Sequence, residues 1–188
     1  QGVPTGAVYG LARTLKSWRH KLDMEYCICA FESPVPVFRC EISPEYKANR
    51  PPVDPDLKAQ IPLAIDMCRH LGYTVVSADG YEADDVIGTL AAKALQKDWK
   101  VRILSKDKDL AQLLALEGDI AVMMPSDGKA NDHYVDKDNC AEHYCGVPAE
   151  LIVDWLALMG DTSDNIIGIK GIGEKTGAKL LNKCGNLD

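Results

Sequence analysis

No apolar run in this sequence approaches the roughly 18 residues that a membrane-spanning helix needs, so a soluble chain is expected. The opening QGVPTGAVYG has neither the basic flank nor the apolar stretch of a secretory signal. It also lacks an initiating Met, and a trimmed or partial piece is therefore expected. Basic residues are not in excess: 21 Lys and Arg stand against 28 Asp and Glu, a net charge of −7 that taken alone speaks against a nucleic-acid partner. No GxxxxGK followed by Ser or Thr occurs, which excludes a Walker-type nucleotide loop. Long internal repeats and low-complexity tracts are absent too. The seven cysteines (Cys27, Cys29, Cys40, Cys68, Cys140, Cys145, Cys184) are odd in number and irregularly spaced, which reads as reduced thiols of an intracellular protein. His143 and Cys145 beside Cys140 have no second pair downstream to complete a zinc site.

What is present suffices for one domain with a small appendage: 188 residues, 46% of them hydrophobic. Residues 5–20 carry Ala7, Val8, Leu11, Leu15 and Trp18 at helical period behind Pro4. YCICAF at 26–31 reads as a buried strand, and a long Pro- and Arg-containing loop follows it. Helical period returns over 55–71 and stops at Gly72. Then strand and helix alternate: YTVVSA, YEADDVIGTLAAKALQK, KVRILS, DLAQLLAL, DIAVMMP. This is the pattern of an α/β fold with a mainly parallel sheet, which binds ligands beyond the carboxyl ends of its strands. Further helices are expected at 137–144, 148–159 and from about Glu174.

Three acidic clusters obey that rule or lie downstream of it: Glu82, Asp84 and Asp85; Asp107 and Asp109; Asp161 and Asp164. Crowded carboxylates repel and push one another toward protonation, so a chain that gathers them needs a cation. Hard oxygen ligands suit Mg²⁺ or Mn²⁺, and a pair of such ions activates a water and stabilises the leaving oxygen of a phosphodiester. With those seven charges set aside, the rest of the chain is neutral and has room for a local basic face. The alternative for each acid alone is a helix cap, favoured by the helix dipole. An EF-hand is excluded, since neither DKDLAQLL nor GDTSDNIIG has its alternating oxygens, central Gly and terminal Glu.

GIKGIGEKTGAKLL is a second constellation: Gly168, Gly171 and Gly173 ahead of a helix, with Lys170, Lys175 and Lys179, suit a nucleic-acid backbone phosphate read without base specificity. A tight helix connection needs the same glycines. A third is the loop bearing Arg39, Tyr46, Lys47 and Arg50, either a phosphate clamp with a stacking surface or a solvated loop.

Together PTGAVYG, FRCE followed by PEYKANRPP, GYEADDVIGTLA, KDKDLAQLL and LALMGDTSDNIIGIKGIGEKTGAKLL resemble the 5′ nuclease superfamily, specifically the 5′→3′ exonuclease domain at the N-terminus of bacterial-type DNA polymerase I. The resemblance covers nearly the whole chain. It implies a PIN-like core over 1–147, an arch over the active site, and a helix-three-turn-helix region over 148–188 that grips duplex backbone. It also implies two Mg²⁺ or Mn²⁺ ions, a K⁺ at that turn, and hydrolysis of DNA near a 5′ end, flap, nick or RNA primer. The seven acids above match its metal site, Lys47 and Arg50 its catalytic cations at the base of the arch, Tyr46 a DNA-binding residue beside them, and Arg39 a nearby phosphate contact. Gly168, Lys170, Gly171, Gly173, Lys175 and Thr176 match its backbone-binding turn. A monomer is expected, with a DNA polymerase fused or in trans. The expected compartment is the bacterial cytoplasm, or a eukaryotic mitochondrion or plastid.

The chain departs from the family twice. It begins just after the place for a first strand that ends in a ligating Asp, and it reads AFE where the family reads AFD, so that Glu32 stands at a metal position. Two other readings follow: a non-catalytic DNA-binding module on the same fold, and an RNA-directed PIN nuclease, which the GIGEKT segment disfavours.

Overall fold

The structure, a computed structural model, describes residues 2–124 and 133–187. In chain order its elements are α1 (Gly6–Lys21), β1 (Ile28–Ala30), α2 (Arg39–Ile42), α3 (Pro55–His70), β2 (Thr74–Val76), α4 (Ala83–Leu95) and β3 (Val101–Leu104). A 3₁₀ helix (Lys108–Ala115), β4 (Ile120–Met124), β5 (His133–Asp136) and α5 (Cys140–His143) follow. Last come a 3₁₀ turn (Ala149–Leu151), α6 (Ile152–Met159), the short strands β6 (Gly160–Asp161) and β7 (Ile166–Ile167), and α7 (Glu174–Cys184). These divide into two compact units, Gln1–Phe38 with Pro51–Val86, and Arg39–Arg50 with Ile87–Asp188. No helix among the described residues is long and apolar enough to cross a membrane.

In the first unit, α1 buries Leu15 and Trp18, and its last turn is basic, as the negative end of a helix favours. Its N-cap residue Thr5 makes no side-chain cap bond. Instead the buried Gln60 of α3 accepts from the N–H groups of Ala7 and Val8, at 2.8 and 3.4 Å. Gln60 is held for this by its own amide, which donates to the Asp56 carbonyl at 3.0 Å. The start of α3 is conventional: Asp54 accepts from Asp56 N–H at 2.7 Å, and Pro55 occupies the first turn. β1 and β2 pair in parallel, Cys29 opposite Val75, over a core of Leu15, Cys68 and Tyr73.

The second unit has a three-stranded sheet in which β3 and β4 are parallel and β5 is antiparallel to β4. Ile103, Leu110, Leu114, Val122, Val135, Ile152 and Trp155 fill its core. The indole N–H of Trp155 donates to the Glu174 carbonyl at 2.9 Å, tying α6 to the start of α7. Between these helices β6 and β7 form a small antiparallel hairpin, Gly160 opposite Ile167 and Asp161 opposite Ile166. Two glycines make it possible. A Cβ on Gly168 would meet the Met159 carbonyl at 2.1 Å, and one on Gly160, at φ 68°, would meet the Gly168 nitrogen at 2.2 Å.

The mixed α/β architecture and both parallel strand pairs agree with the sequence reading. Local detail differs. DLAQLLAL winds as a 3₁₀ rather than an α-helix, the helix expected over 137–144 contracts to α5, and β5 is an additional antiparallel strand. The expected strand end at Pro125 lies outside the described residues.

Candidate active site

In the first unit the acids gather at the start of α4. Glu82 is buried and its N–H donates to Asp85 Oδ2 at 2.9 Å. Asp84 and Asp85 occupy the first helical turn, where the dipole favours negative charge. Glu32, just beyond β1, brings its carboxylate to the same helix end: Ala83 N–H donates to its Oε1 at 3.1 Å. The structure thus brings the AFE glutamate together with the EADD cluster, and gives Glu32 an N-terminal capping bond there.

In the second unit, Asp107 caps the 3₁₀ helix by accepting from Asp109 N–H at 2.9 Å. Asp109 is half-buried, and its carboxyl is pushed up, first by burial and then by Asp107, with Asp161 and Asp164 adding to the effect against Lys108. Four carboxylates therefore act on one another here. Asp161 behaves oppositely: the Ser163 hydroxyl, donating at 2.6 Å, is the main cause that holds it down to about 2. Lys108 adds an ion pair to Asp161 at 3.2 Å. Sequence reasoning missed Lys108 and Ser163; the only signal was a cation set between Asp107 and Asp109 and a Ser between Asp161 and Asp164.

The candidate clamp fastens onto the loop between β6 and β7. Arg50 pairs with Asp164 and donates from Nε to the Ser163 carbonyl at 3.1 Å. The Tyr46 hydroxyl donates to Asp164 Oδ2 at 3.1 Å, and the Lys47 ammonium lies 3.8 Å from the same oxygen. Side-chain amides lock the two loops together: Asn49 donates to the Thr162 carbonyl at 2.6 Å, and Asn165 to the Glu45 carbonyl at 2.7 Å. Lys47 holds φ at 56° and Asn165 at 58°, left-handed conformations sustained by these bonds. Arg39 opens α2 within the same unit.

Past β7 the chain turns through Gly168, Lys170, Gly171 and Gly173 into α7, where Lys175 and Thr176 lie in the first turn. Gly171 has φ 85°, and Lys170, Lys175 and Lys179 are exposed. The hairpin joins this turn directly to Asp161 and Asp164, so ligand-type acids and phosphate-type cations belong to one continuous segment.

Among the described residues no three His, Cys, Asp or Glu side chains are gathered closely enough to hold a metal ion as they stand. The donors nevertheless fit a hard divalent cation in kind. All are carboxylates, one is raised by burial and then by its acidic neighbours, and Lys108, Lys47 and Arg50 supply positive charge against two others.

Residues 1–145 match the 5′-3′ exonuclease N-terminal, resolvase-like domain, and residues 147–188 match the 5′-3′ exonuclease C-terminal SAM fold. The chain belongs to the 5′-3′ exonuclease family. Within this family it is 39% identical to the 5′-3′ exonuclease of Aquifex aeolicus, over all of this chain and 63% of that protein. It is 40% identical to the thermostable DNA polymerase I of Thermus thermophilus, over all of this chain and 22% of that one. The chain thus spans less than two-thirds of the length of these relatives. In fold, it matches T5 5′-exonuclease with bound divalent metal ions (zinc) at a TM-score of 0.78 and 24% identity, over 97% of this chain and 68% of that one. A bacteriophage T5 flap endonuclease complex with DNA and metal ions matches at 0.68 and 22%, over 100% and 69%.

Proposed function

We propose that this chain is the nuclease part of a divalent-metal-dependent 5′→3′ exonuclease and flap endonuclease that hydrolyses DNA phosphodiester bonds in replication and repair. The carrying observation is the fastening of Tyr46, Lys47 and Arg50 onto Asp164, in a member of the 5′-3′ exonuclease family. Glu82, Asp84, Asp85, Asp107, Asp109, Asp161 and Asp164 are the proposed ligands of two Mg²⁺ or Mn²⁺ ions, with Glu32 beside the first cluster. Such ions supply Lewis acidity toward water and the phosphodiester oxygens. The chain's own cations do the rest. Arg50 and Lys47, oriented in advance by Asp164 and by backbone bonds, meet the phosphate and offset the charge that develops in the transition state.

The grip on duplex DNA is assigned to residues 148–188, through the exposed lysines and the Gly168, Gly171 and Gly173 turn with a K⁺ ion, and the nuclease core to residues 1–147. DNA with a 5′ end, flap or nick is the proposed substrate. A polymerase in the same polypeptide or in trans is the proposed partner, in keeping with the polymerase I relative. A monomer acting in an intracellular compartment completes the reading.

The test is cleavage of a 5′-flap duplex by the full-length protein. Release of the flap with Mg²⁺ or Mn²⁺ and none in chelator is expected; failure with both ions by folded protein overturns the proposal. A second reading, a DNA-binding module that does not cut, draws support from the capping bond of Glu32 to Ala83. DNA binding without cleavage, unchanged in Asp107→Ala, would select it.

A further inference from the structure

Residues 45–50 and 162–165 both belong to the second unit and are joined along their backbones. Three successive carbonyls of the loop between β6 and β7 accept from the other segment: Thr162 from the Asn49 amide at 2.6 Å, Ser163 from Arg50 Nε at 3.1 Å, and Asp164 from the Lys47 N–H at 3.0 Å. The Asn165 amide returns a bond to the Glu45 carbonyl at 2.7 Å. None of these bonds uses the Asp164 carboxylate, whose oxygens face Tyr46, Lys47, Arg50 and Ser163.

Stability does not explain the two asparagines. Both are exposed, so neither fills a core, and a hydrogen bond open to water adds little to folding. Taken alone, Asn165 at φ 58° reads as a left-handed turn residue, a conformation that Asn tolerates well. Asn49 has no such backbone need, yet its amide reaches a carbonyl 113 residues along the chain. What the two share is the segment they pin. Asn49 adjoins Arg50, and the Asn165 bond lands on Glu45, just ahead of Tyr46 and Lys47. Long, flexible cations meet a phosphate in a fixed geometry only when the backbone that bears them is held, and outer hydrogen bonds commonly do this at functional sites. The ion pairs to Asp164 serve that purpose only while its carboxylate stays with Lys47 and Arg50. The bonds to backbone carbonyls do not depend on it.

We propose that Asn49 and Asn165 are positioning residues for phosphodiester cleavage: their amides hold the Lys47 and Arg50 segment on the loop between β6 and β7, whatever the Asp164 carboxylate binds. This rests on the reading of Lys47 and Arg50 as the cations that meet the phosphate.

The test compares full-length wild type with Asn49→Ala and Asn165→Gly, on a 5′-flap duplex with Mg²⁺; glycine keeps the left-handed backbone and removes only the amide. Single-turnover cleavage at saturating DNA should fall about 10- to 100-fold in each, because a displacement of about 1 Å costs that order, while DNA affinity stays within about twofold. The effect should disappear where the cation is already gone. Asn49→Ala added to Arg50→Ala, and Asn165→Gly added to Lys47→Ala, should each slow cleavage by less than about twofold. Hydrogen exchange at the Lys47 N–H gives a readout without turnover: it should stay slow in wild type with and without Mg²⁺, and quicken about tenfold or more in both asparagine variants. Wild-type cleavage rates in both asparagine variants, or losses that multiply fully with those of the cations, overturn the positioning role and leave the reading of Lys47 and Arg50 standing. Wild-type rates in Arg50→Ala and Lys47→Ala overturn that reading and this inference together. Both asparagine variants should melt with wild type; one that loses cleavage and DNA binding together by unfolding overturns the proposal, because its amide would then serve the fold.

Discussion

Arg50 and Lys47 act on Asp164 by different means, and their variants should differ accordingly. Arg50 combines an ion pair with a backbone bond to Ser163, whereas Lys47 contributes a looser ion pair at 3.8 Å and lies over the Tyr46 ring. Removing a charge that stabilises the transition state costs about 100- to 1000-fold in kcat, so Arg50→Ala and Lys47→Ala should each cut flap cleavage by that order. Arg50→Lys should rescue little, since an ammonium cannot span Asp164 and the Ser163 carbonyl together. Single-turnover rates at saturating DNA check both. Ser163 makes a separate prediction through Asp161, which it holds down from 3.8 to about 2. A carboxylate depressed in the folded state adds stability above its unfolded pKa, and that stability is lost as pH falls from about 4 through about 2. Ser163→Ala should return Asp161 toward its ordinary range, as followed by carboxyl NMR titration, and shift acid unfolding to higher pH. An unmoved Asp161 titration would refute the assignment.

Among the secondary-structure elements, the β6–β7 hairpin is the most constrained, because Gly160 and Gly168 face each other where neither can carry a Cβ. Gly168→Ala forces backbone apart between Met159 and the turn, and a loss of about 2 kcal/mol or more is expected by denaturant unfolding, with weaker DNA binding. Gly171→Ala meets no atom within 4 Å and strains only its φ of 85°, so it should cost less, about 1–2 kcal/mol. The sequence displays the glycines but not this division of labour, because opposing backbones are a property of register. The same limit explains what else was legible. Asp54 and Pro55 announce the start of α3, since a cap acts within one turn. The cap of α1 could not be read, as Gln60 reaches it from 53 residues along the chain. Gln60→Ala should therefore destabilise the first unit by about 1–2 kcal/mol. The acids stood out as clusters because like charges in a short span need a reason. Lys108 and Ser163 did not, since a lysine and a serine are unremarkable until the fold brings them to carboxylates.

Taken over the whole chain, a net charge of −7 has to be reconciled with a proposed DNA substrate. The resolution is spatial: acids concentrate where divalent cations would neutralise them, while Lys170, Lys175 and Lys179 stand exposed on the turn and helix that follow the hairpin. Each lysine that meets a phosphate releases counterions, so the affinity for duplex DNA should fall with salt at a slope near −0.9 per contact. Replacing Lys170 or Lys175 by Ala should reduce that slope by about one and weaken all DNA sequences alike, because backbone contacts carry no base information. Asp109→Asn should behave otherwise. Without metal it removes a negative charge near the substrate and should leave binding unchanged or stronger; with Mn²⁺ it should lose the metal-dependent gain. Fluorescence anisotropy across a salt series, with and without Mn²⁺, separates the two kinds of residue. A slope unaltered by both lysine variants would remove the turn from the DNA interface, since no exposed cation that contacts phosphate can be deleted without changing the number of counterions released.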